Sequence, residues 1–531
     1  MTPKSCLLLA LYSILSASDL SAQTSAHQWE MKEIPFQVSE APEQPFDLEF
    51  SATFTHSDGT EMTVPGFYNG GLEYLLRFTP PSAGEWIVST QSSSKDLDEK
   101  QLTLTVQPAK AGAKGGIEIR EDSPREFHYK NGELYYPIAF EVDWLFALDA
   151  DNPDDIPRTR KLIDTATENG FNQIILNVFA YDVNWKKDPE LKPKYDFGSP
   201  TSFPFGGTNQ DPDHTTLNVE FFQRFDRVIE YLNEKDVAAH VMIYVWNKRV
   251  NWPEAASPED NRYFDYVAKR YQAYPNLVWD ISKEALGYGR EGTGNYIAER
   301  VERLRKLDAH NRLITVHDYN FCKNNQEILD FISVQDWQTE MRSVMLNIRN
   351  EIPGKPILNI EHGGYEKGPY TVYTGSYIEP IACLERAYKT MFAGTFPTHY
   401  WQGMAWNVII WDIDELPESE RPQLQYYKHM RSLADRYPIS SLLPDPRRSN
   451  SGHSLASKDN DLFLIFVPEE NYSIAPWLPK ELRGKKYSAT WFDPLTGEFS
   501  EPVHKVLEKW NRFNNPDNGC FSILIVEIQK E

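Results

Sequence analysis

The run Asn218-Val219-Glu220-Phe221-Phe222-Gln223-Arg224-Phe225-Asp226-Arg227-Val228-Ile229-Glu230-Tyr231-Leu232 is followed closely by Ala238-Ala239-His240-Val241-Met242-Ile243-Tyr244-Val245-Trp246. In the first stretch Phe221, Phe222, Phe225, Val228, Ile229 and Leu232 recur at helical spacing, and Asn218 is placed to cap the start. The second is a continuous apolar run of strand length, which suits a strand buried on both faces. The same alternation fills the chain from Leu134 to about Tyr437. Strand candidates are Tyr136–Glu141, Asn172–Phe179, Ala238–Trp246, Leu277–Ser282, Arg312–His317, Phe331–Gln335, Pro356–Ile360 and Thr398–Trp401. Eight strands spaced by helices predict a (β/α)8 TIM barrel. A doubly wound open sheet is the alternative, but no glycine-rich phosphate loop follows the first strand.

The flanks read differently. Between Trp29 and Val106 short alternating stretches are broken by turns. Phe46 to Phe50 and Gln101 to Val106 alternate, and Ser57-Asp58-Gly59-Thr60 is a hairpin-type turn. Pro108 to Gly116 reads as a linker. After Pro438 the strands Leu462–Val467, Tyr487–Phe492 and Phe521–Ile528 return, with Asp493-Pro494-Leu495-Thr496-Gly497 as a turn. The expected class is therefore α/β, a TIM barrel flanked by N-terminal and C-terminal β-sandwich domains. The expected segments are 1–22, 23–110, 111–440 and 441–531, the first of them a leader.

That leader has the pattern of an export signal. Lys4 is its charged start, Cys6 to Ala17 its apolar stretch, and Leu20-Ser21-Ala22 before Gln23 offers small residues for cleavage. The expected location is secreted or periplasmic, with no membrane span in the mature chain. At 531 residues the chain is too long for one ordinary domain, and 40% hydrophobic content is enough to bury a core. The formal charge of −23 counts against nucleic acid as a partner. Beyond the leader only Cys322, Cys383 and Cys520 remain, which excludes a disulfide scaffold or a four-cysteine zinc site. Asp149, Asp151, Asp154 and Asp155 lack the EF-hand spacing and read as a solvated acidic loop. No cluster has the spacing of a catalytic metal site, and no cofactor is expected.

In a barrel the working residues sit at the C-terminal ends of the strands. Two carboxylates stand out there, Glu284 after the fourth strand and Glu361 after the seventh. Those positions face each other across a barrel mouth, so both side chains can reach one bond. Glycoside hydrolysis needs such a pair, one carboxyl protonated for the leaving oxygen and the other ionised to attack or to activate water. Trp and Tyr at neighbouring strand ends offer flat faces for sugar rings. The candidates for holding a carbohydrate substrate are Asn177, Asn247, Lys248, Lys283, His317, Trp337, His362, Tyr400 and Trp401. His317 and His362 read equally well as buried structural histidines.

Leu277-Val278-Trp279-Asp280-Ile281-Ser282-Lys283-Glu284-Ala285 and Lys355-Pro356-Ile357-Leu358-Asn359-Ile360-Glu361-His362-Gly363 resemble the strand-four and strand-seven motifs of retaining barrel glycosidases. The resemblance implies Glu284 as acid/base and Glu361 as nucleophile. More narrowly, Tyr136-Pro137-Ile138-Ala139-Phe140 leading to Asp143-Trp144-Leu145 resembles the first strand of the apiosidase-like barrel glycosidases. Pro65-Gly66-Phe67-Tyr68, Arg77-Phe78-Thr79-Pro80 and Gly84-Glu85-Trp86 resemble the β-sandwich that precedes such barrels, and Thr490 to Glu498 their collagen-binding-like C-terminal domain. Many retaining barrel glycosidases carry Asn just before the acid/base Glu. Here the residue is Lys283, which either makes the equivalent bond to the sugar or meets a different sugar.

The reading is a secreted glycoside hydrolase acting on a poly- or oligosaccharide with retention of configuration. The alternatives are an inverting enzyme of the same fold, one using Asp336 or Glu366 in place of one Glu, and a carbohydrate-binding protein without catalysis. Lys248, Arg249 and Lys283 form a set of cations at adjacent strand ends. They bind an anionic substrate group, or else Lys283 pairs with a local carboxylate and the other two lie in solvent.

Overall fold

The structure, a computed structural model, describes residues 24–286, 293–362, 368–372, 379–516 and 519–529. The leader at 1–22, Gly363 and Glu366 lie outside these residues. Among the described residues the central region is eight parallel strands, each followed by a helix. They run β1 (Ala139–Glu141), α1 (Pro157–Glu168), β2 (Gln173–Asn177), α2 (Val219–Glu234), β3 (Ala238–Val245) and α3 (Pro258–Tyr271). There follow β4 (Leu277–Lys283), α4 (Thr293–Leu307), β5 (Ile314–His317), α5 (Tyr319–Asn324), β6 (Ile332–Gln335) and α6 (Met341–Glu351). β7 (Ile357–Glu361), α7 (Pro380–Met391), β8 (Phe396–His399) and α8 (Gln425–Arg436) complete the ring.

The ladders follow the order β5-β4-β3-β2-β1-β8-β7-β6. At the seam between β5 and β6, Asp330 N donates to Ile314 O at 3.0 Å, and Thr315 Oγ1 donates to Phe331 O at 3.0 Å. This is the TIM barrel that the alternation predicts. Every residue of β3 is buried, which is why it reads as an unbroken apolar run. Asn218 Oδ1 accepts from Phe221 N at 3.3 Å, satisfying a donor at the start of α2. The last strand begins and ends earlier than the reading of Thr398–Trp401, because Phe396 and Pro397 already pair with Leu358 and Asn359 of β7. Tyr400 and Trp401 therefore fall in the loop beyond β8.

The barrel interior carries a polar layer. Gln173 Nε2 lies 3.0 Å from His240 Nδ1, and His240 Nε2 lies 3.2 Å from Asp280 Oδ2, linking β2, β3 and β4. A small sheet of 117–120, 123–129 and 134–135 closes the opposite end of the barrel. Phe127 packs there with ring centroids 5.3 Å from Phe331 and 5.2 Å from Phe396, at the N-terminal ends of β6 and β8.

Before the barrel, a five-stranded sheet (24–27, 50–56, 61–65, 84–92, 101–107) and a three-stranded sheet (32–37, 67–70, 73–78) share one core among the described residues. The hairpin turn at 57–60 sits between paired strands as its sequence suggests. Of Phe46 to Phe50, read as alternating strand, only Phe50 is in a strand, and Phe46 and Asp47 lie in a turn held against the barrel. There Phe46 meets the Tyr266 ring edge at 5.4 Å, and Asp47 accepts from Arg262 Nε at 2.7 Å. After the barrel, the strands 443–444, 454–456, 462–467, 486–492, 503–506 and 522–528 form one antiparallel sheet. Leu464, Phe466, Ile523 and Ile525 join the barrel core, while Phe463, Ile465, Leu524 and Val526 face a second, outer core. Burial on both faces explains the continuous apolar run Leu462–Val467. Cys322, Cys383 and Cys520 are buried thiols.

The N-terminal sheet is locked to the barrel by charge. Arg77 donates to Asp226 of α2 at 3.1 and 2.7 Å and to Arg270 O of α3 at 2.9 Å. Arg270 Nε adds a bond to Asp226 at 2.9 Å. Burial opposes ionisation of Asp226, but the two guanidinium groups outweigh it and hold its carboxyl far below the usual range. Replacing Asp226 with Asn would leave two buried cations side by side. Asp226→Asn is expected to lower stability by about 3–5 kcal/mol, read as a drop in the urea midpoint followed by tryptophan fluorescence.

Candidate active site

The cleft over the C-terminal ends of the strands has a volume of about 820 Å³. Its lining comes from loops after six strands. Val183, Asn184 and Trp185 follow β2, Asn247 and Lys248 follow β3, and Glu284 follows β4. Gln335 ends β6 and Asp336 to Gln338 follow it, Glu361 ends β7, and Trp406 follows β8. Of the residues read from sequence, Glu284, Glu361, Asn247, Lys248 and Trp337 thus meet in one cleft. Asp336, the rival carboxylate, lines it too, and its side chain accepts from Gln338 N at 2.9 Å.

Glu284 is half-buried and is held by two amides. Asn247 Nδ2 donates to its Oε2 at 2.6 Å, and Gln335 Nε2 donates to its Oε1 at 3.2 Å. Its backbone N donates to His317 O at 2.8 Å, and its φ is 49°, in the left-handed region. Arg249 and Trp406, also at the mouth, share that conformation with φ of 55° and 56°. Non-glycine residues there carry strain, a cost often found around working sites.

Glu361 is 3% exposed and sits against Lys283, whose Nζ lies 3.4 Å from Glu361 Oε2. Lys283, at the end of β4, also donates to Glu141 Oε1 and, at 3.4 Å, to Asp143 Oδ1. Lys248 Nζ stands 3.9 Å from Asp143 Oδ2 and 4.8 Å from the centre of the Trp406 ring. The two lysines therefore sit among carboxylates from β1 and β7. Lys283 is buried beneath the cleft, Lys248 is buried in its wall, and Arg249 is exposed 4.0 Å from Asp182 Oδ2. Local pairing of Lys283 is the arrangement found, whereas Lys248 is not the solvated cation that reading expected.

Burial pushes the Glu361 carboxyl up to about 7, with Glu284 and Asp143 adding to the rise and Lys283 and Lys248 opposing it. Glu141 is driven well above the ordinary range by burial. Asp143 is also buried, but Lys283 and Lys248 hold it below that range. Burial depresses Lys248, while for Lys283 the surrounding carboxylates overcome burial and raise it well above its usual value.

The other sequence candidates lie under or beside the cleft. Asn177 is buried, and its Nδ2 donates to Asp143 O at 3.1 Å, holding the turn after β1. His317 Nε2 is 3.6 Å from Glu361 Oε2, and burial together with Lys283 keeps the ring neutral. His362 is fully buried and lowered to about 4 by burial, and its backbone O accepts from Arg386. Tyr400 is buried with Lys283 Nζ 5.5 Å from its ring centre, and Trp401 is buried beside Gly403. Asp149 and Asp151 lie in the loop before α1 and hold its start. Asp149 accepts from Thr159 N at 2.9 Å, and Asp151 pairs with Arg158 at 2.8 Å. No group of acidic, His and Cys side chains among the described residues is arranged to hold a metal.

Sequence reasoning passed over Trp185 and Trp406. Their rings stack at 5.7 Å and 28°, and Trp185 is 46% exposed. The signal in the sequence is a tryptophan in each of the long loops after β2 and β8, beyond the strand ends.

Two family models match the chain. The apiosidase-like catalytic domain covers residues 124–437, and a domain of unknown function, DUF5060, covers 25–93. Comparison with curated proteins returns no match. A Bacteroides vulgatus protein described as a candidate glycoside hydrolase superposes with a TM-score of 0.77 at 21% identity, covering 96% of this chain and 100% of its own. A glycoside hydrolase family 5 structure from the same organism gives 0.58 at 17% identity, covering 78% and 94%. At these identities the likeness is one of fold.

The charge on Glu361 has a consequence for stability. Its pKa is raised from 4.5 to about 7 in the folded protein. The stability this group contributes is therefore complete below about pH 4.5 and lost as the pH rises through about 7. Glu361→Gln is expected to be more stable than the parent above pH 7, by up to about 3 kcal/mol. The gap should close below about pH 4.5, as measured by urea unfolding across that range.

Proposed function

The chain belongs to the apiosidase-like family of glycoside hydrolases, and from that premise we propose that it cleaves a poly- or oligosaccharide by retaining double displacement. The observation that carries the reading is the placement of Glu284 and Glu361, at the ends of β4 and β7, in the wall of one cleft with Trp185, Trp337 and Trp406. In the first step a Glu361 oxygen attacks the anomeric carbon while Glu284 gives its proton to the departing glycosidic oxygen. The bond to the leaving group breaks and a glycosyl ester forms. Glu284, now ionised, takes a proton from water, whose oxygen displaces Glu361 and restores both carboxyl groups.

The environments of the two groups suit different tasks. Glu284 is half-exposed to the cleft, where a leaving group departs into solvent, and its amide partners fix its orientation. Glu361 is packed against a permanent cation, which favours its anion. Its raised pKa also suits a proton donor, and this is the one observation favouring exchanged roles. The flat faces of Trp185 and Trp337 are apolar surfaces of the kind that stack on sugar rings. Export through the leader at 1–22 is part of the proposal, checked by N-terminal sequencing of protein recovered outside the cell.

Glu361→Ala is expected to lose about 10⁴-fold or more in kcat, and azide should restore part of the rate on an activated aryl glycoside. The glycosyl azide formed by that variant should have the anomeric configuration opposite to the substrate, and the one formed by Glu284→Ala the same configuration. If the two products exchange, the roles exchange. If the wild-type enzyme releases sugar of inverted configuration, double displacement is excluded. The acid limb of kcat/KM should lie near pH 7, because Glu361 must ionise before it attacks.

A further inference from the structure

Lys283 stands where a substrate-binding amide was the expectation from resemblance, yet it is only 1% exposed and does not line the cleft. Its ammonium instead touches carboxylates from three places. It donates to Glu141 at the end of β1 and lies 3.4 Å from Asp143 Oδ1 in the turn that follows. It also lies 3.4 Å from Glu361 Oε2 at the end of β7. We propose that Lys283 is a positioning residue that fixes the Glu361 carboxylate and keeps it ionised for attack, and that it is not a contact to the sugar. The inference rests on the reading of Glu361 as nucleophile.

Each group facing Glu361 has a definite part. Glu284 and Asp143 repel its charge, Glu141 accepts from the same ammonium and is itself raised by Glu361, and Lys248 Nζ lies 3.9 Å from Asp143 Oδ2. His317 Nε2, 3.6 Å away on β5, carries no charge. Among the described residues Lys283 is thus the lysine in contact with Glu361, while Lys248 acts on it by its charge from farther off. A neutral amide at position 283 would leave the carboxyl groups of Glu141, Asp143 and Glu361 buried around no central positive charge. Such groups respond by taking up protons. A protonated Glu361 cannot attack, so the side chain under the cleft governs the chemistry inside it.

The test reads Glu361 itself, independently of turnover. In full-length protein, difference infrared spectroscopy across pH identifies the Glu361 carboxyl band as the one missing from Glu361→Gln. Lys283→Met is expected to raise the midpoint of that band by about 1–3 pH units, with the acid limb of kcat/KM moving in the same direction. Lys283→Arg should keep both near the parent. Asp143→Asn should move the Glu361 midpoint down, because a repelling charge is gone and Lys283 is released toward Glu361. If Lys283→Met does not fold, Asp143→Asn carries the test with its opposite sign. An unmoved Glu361 midpoint in either folded variant overturns the proposal. If the midpoint moves while the acid limb stays, control by Lys283 stands, and the nucleophile role of Glu361 is what fails.

Discussion

A lysine ammonium among three buried carboxylates is the constraint around which the barrel mouth is organised. A charge removed from water costs several kcal/mol unless it is paired. Lys283 is buried because β1, β4 and β7 bring carboxyl groups to it, Glu141, Asp143 and Glu361. That requirement fixes relations that hydrogen bonding alone leaves loose, since β1 is three residues long and pairs with β8 at just Ala139 and Phe140. Below this cluster the Gln173–His240–Asp280 chain gives the interior a second set of directional contacts. The electrostatics of the site follow from the same geometry, because each carboxylate feels one shared cation and the other carboxylates.

Rigidity below is matched by strain above. Arg249, Glu284 and Trp406 all take left-handed backbone conformations at the rim. Each is tied down by neighbours. Arg249 O accepts from Asn209 Nδ2 at 3.1 Å, and Asn407 Nδ2, beside Trp406, donates to Asp182 at 3.0 Å. The turn at Asp182 is itself bonded to Lys248 O through the Tyr181 and Asp182 amides, at 3.1 and 2.9 Å. The loops after β2, β3 and β8 thus form one bonded shelf, which makes one side of the cleft.

The eight strands were legible because a strand buried on both faces writes itself as an apolar run, and the helices between them carry a different period. That Glu284 and Glu361 share one cleft was legible because each stands at the end of such an apolar run, which fixes its place at the barrel mouth. The cage around Lys283 was not. Glu141 and Asp143 were visible at the end of the first strand, but nothing in their spacing says that closure of the ring sets them against residue 283, some 140 positions away. Trp185 and Trp406 were missed because long loops have no period, and their path is decided by contacts such as Asn407 to Asp182. Phe46 to Glu49 shows the converse failure. Its alternation mimics a strand, but the ring of Phe46 packs against Tyr266 of the barrel, and the segment turns there.

The C-terminal sheet is sandwiched between the barrel core and a core of its own, with Phe466 against Phe392 and Phe521 against Tyr388 of α7. A module hung on a tether can sweep a volume and hold one chain end while the rest searches. This sheet has no such freedom, since separating it would bare the apolar wall it shares with the barrel. The barrel and this sheet therefore move as one rigid object. What reaches the site is then decided by the outline of the cleft and the loops around it, and not by any swing of the C-terminal sheet.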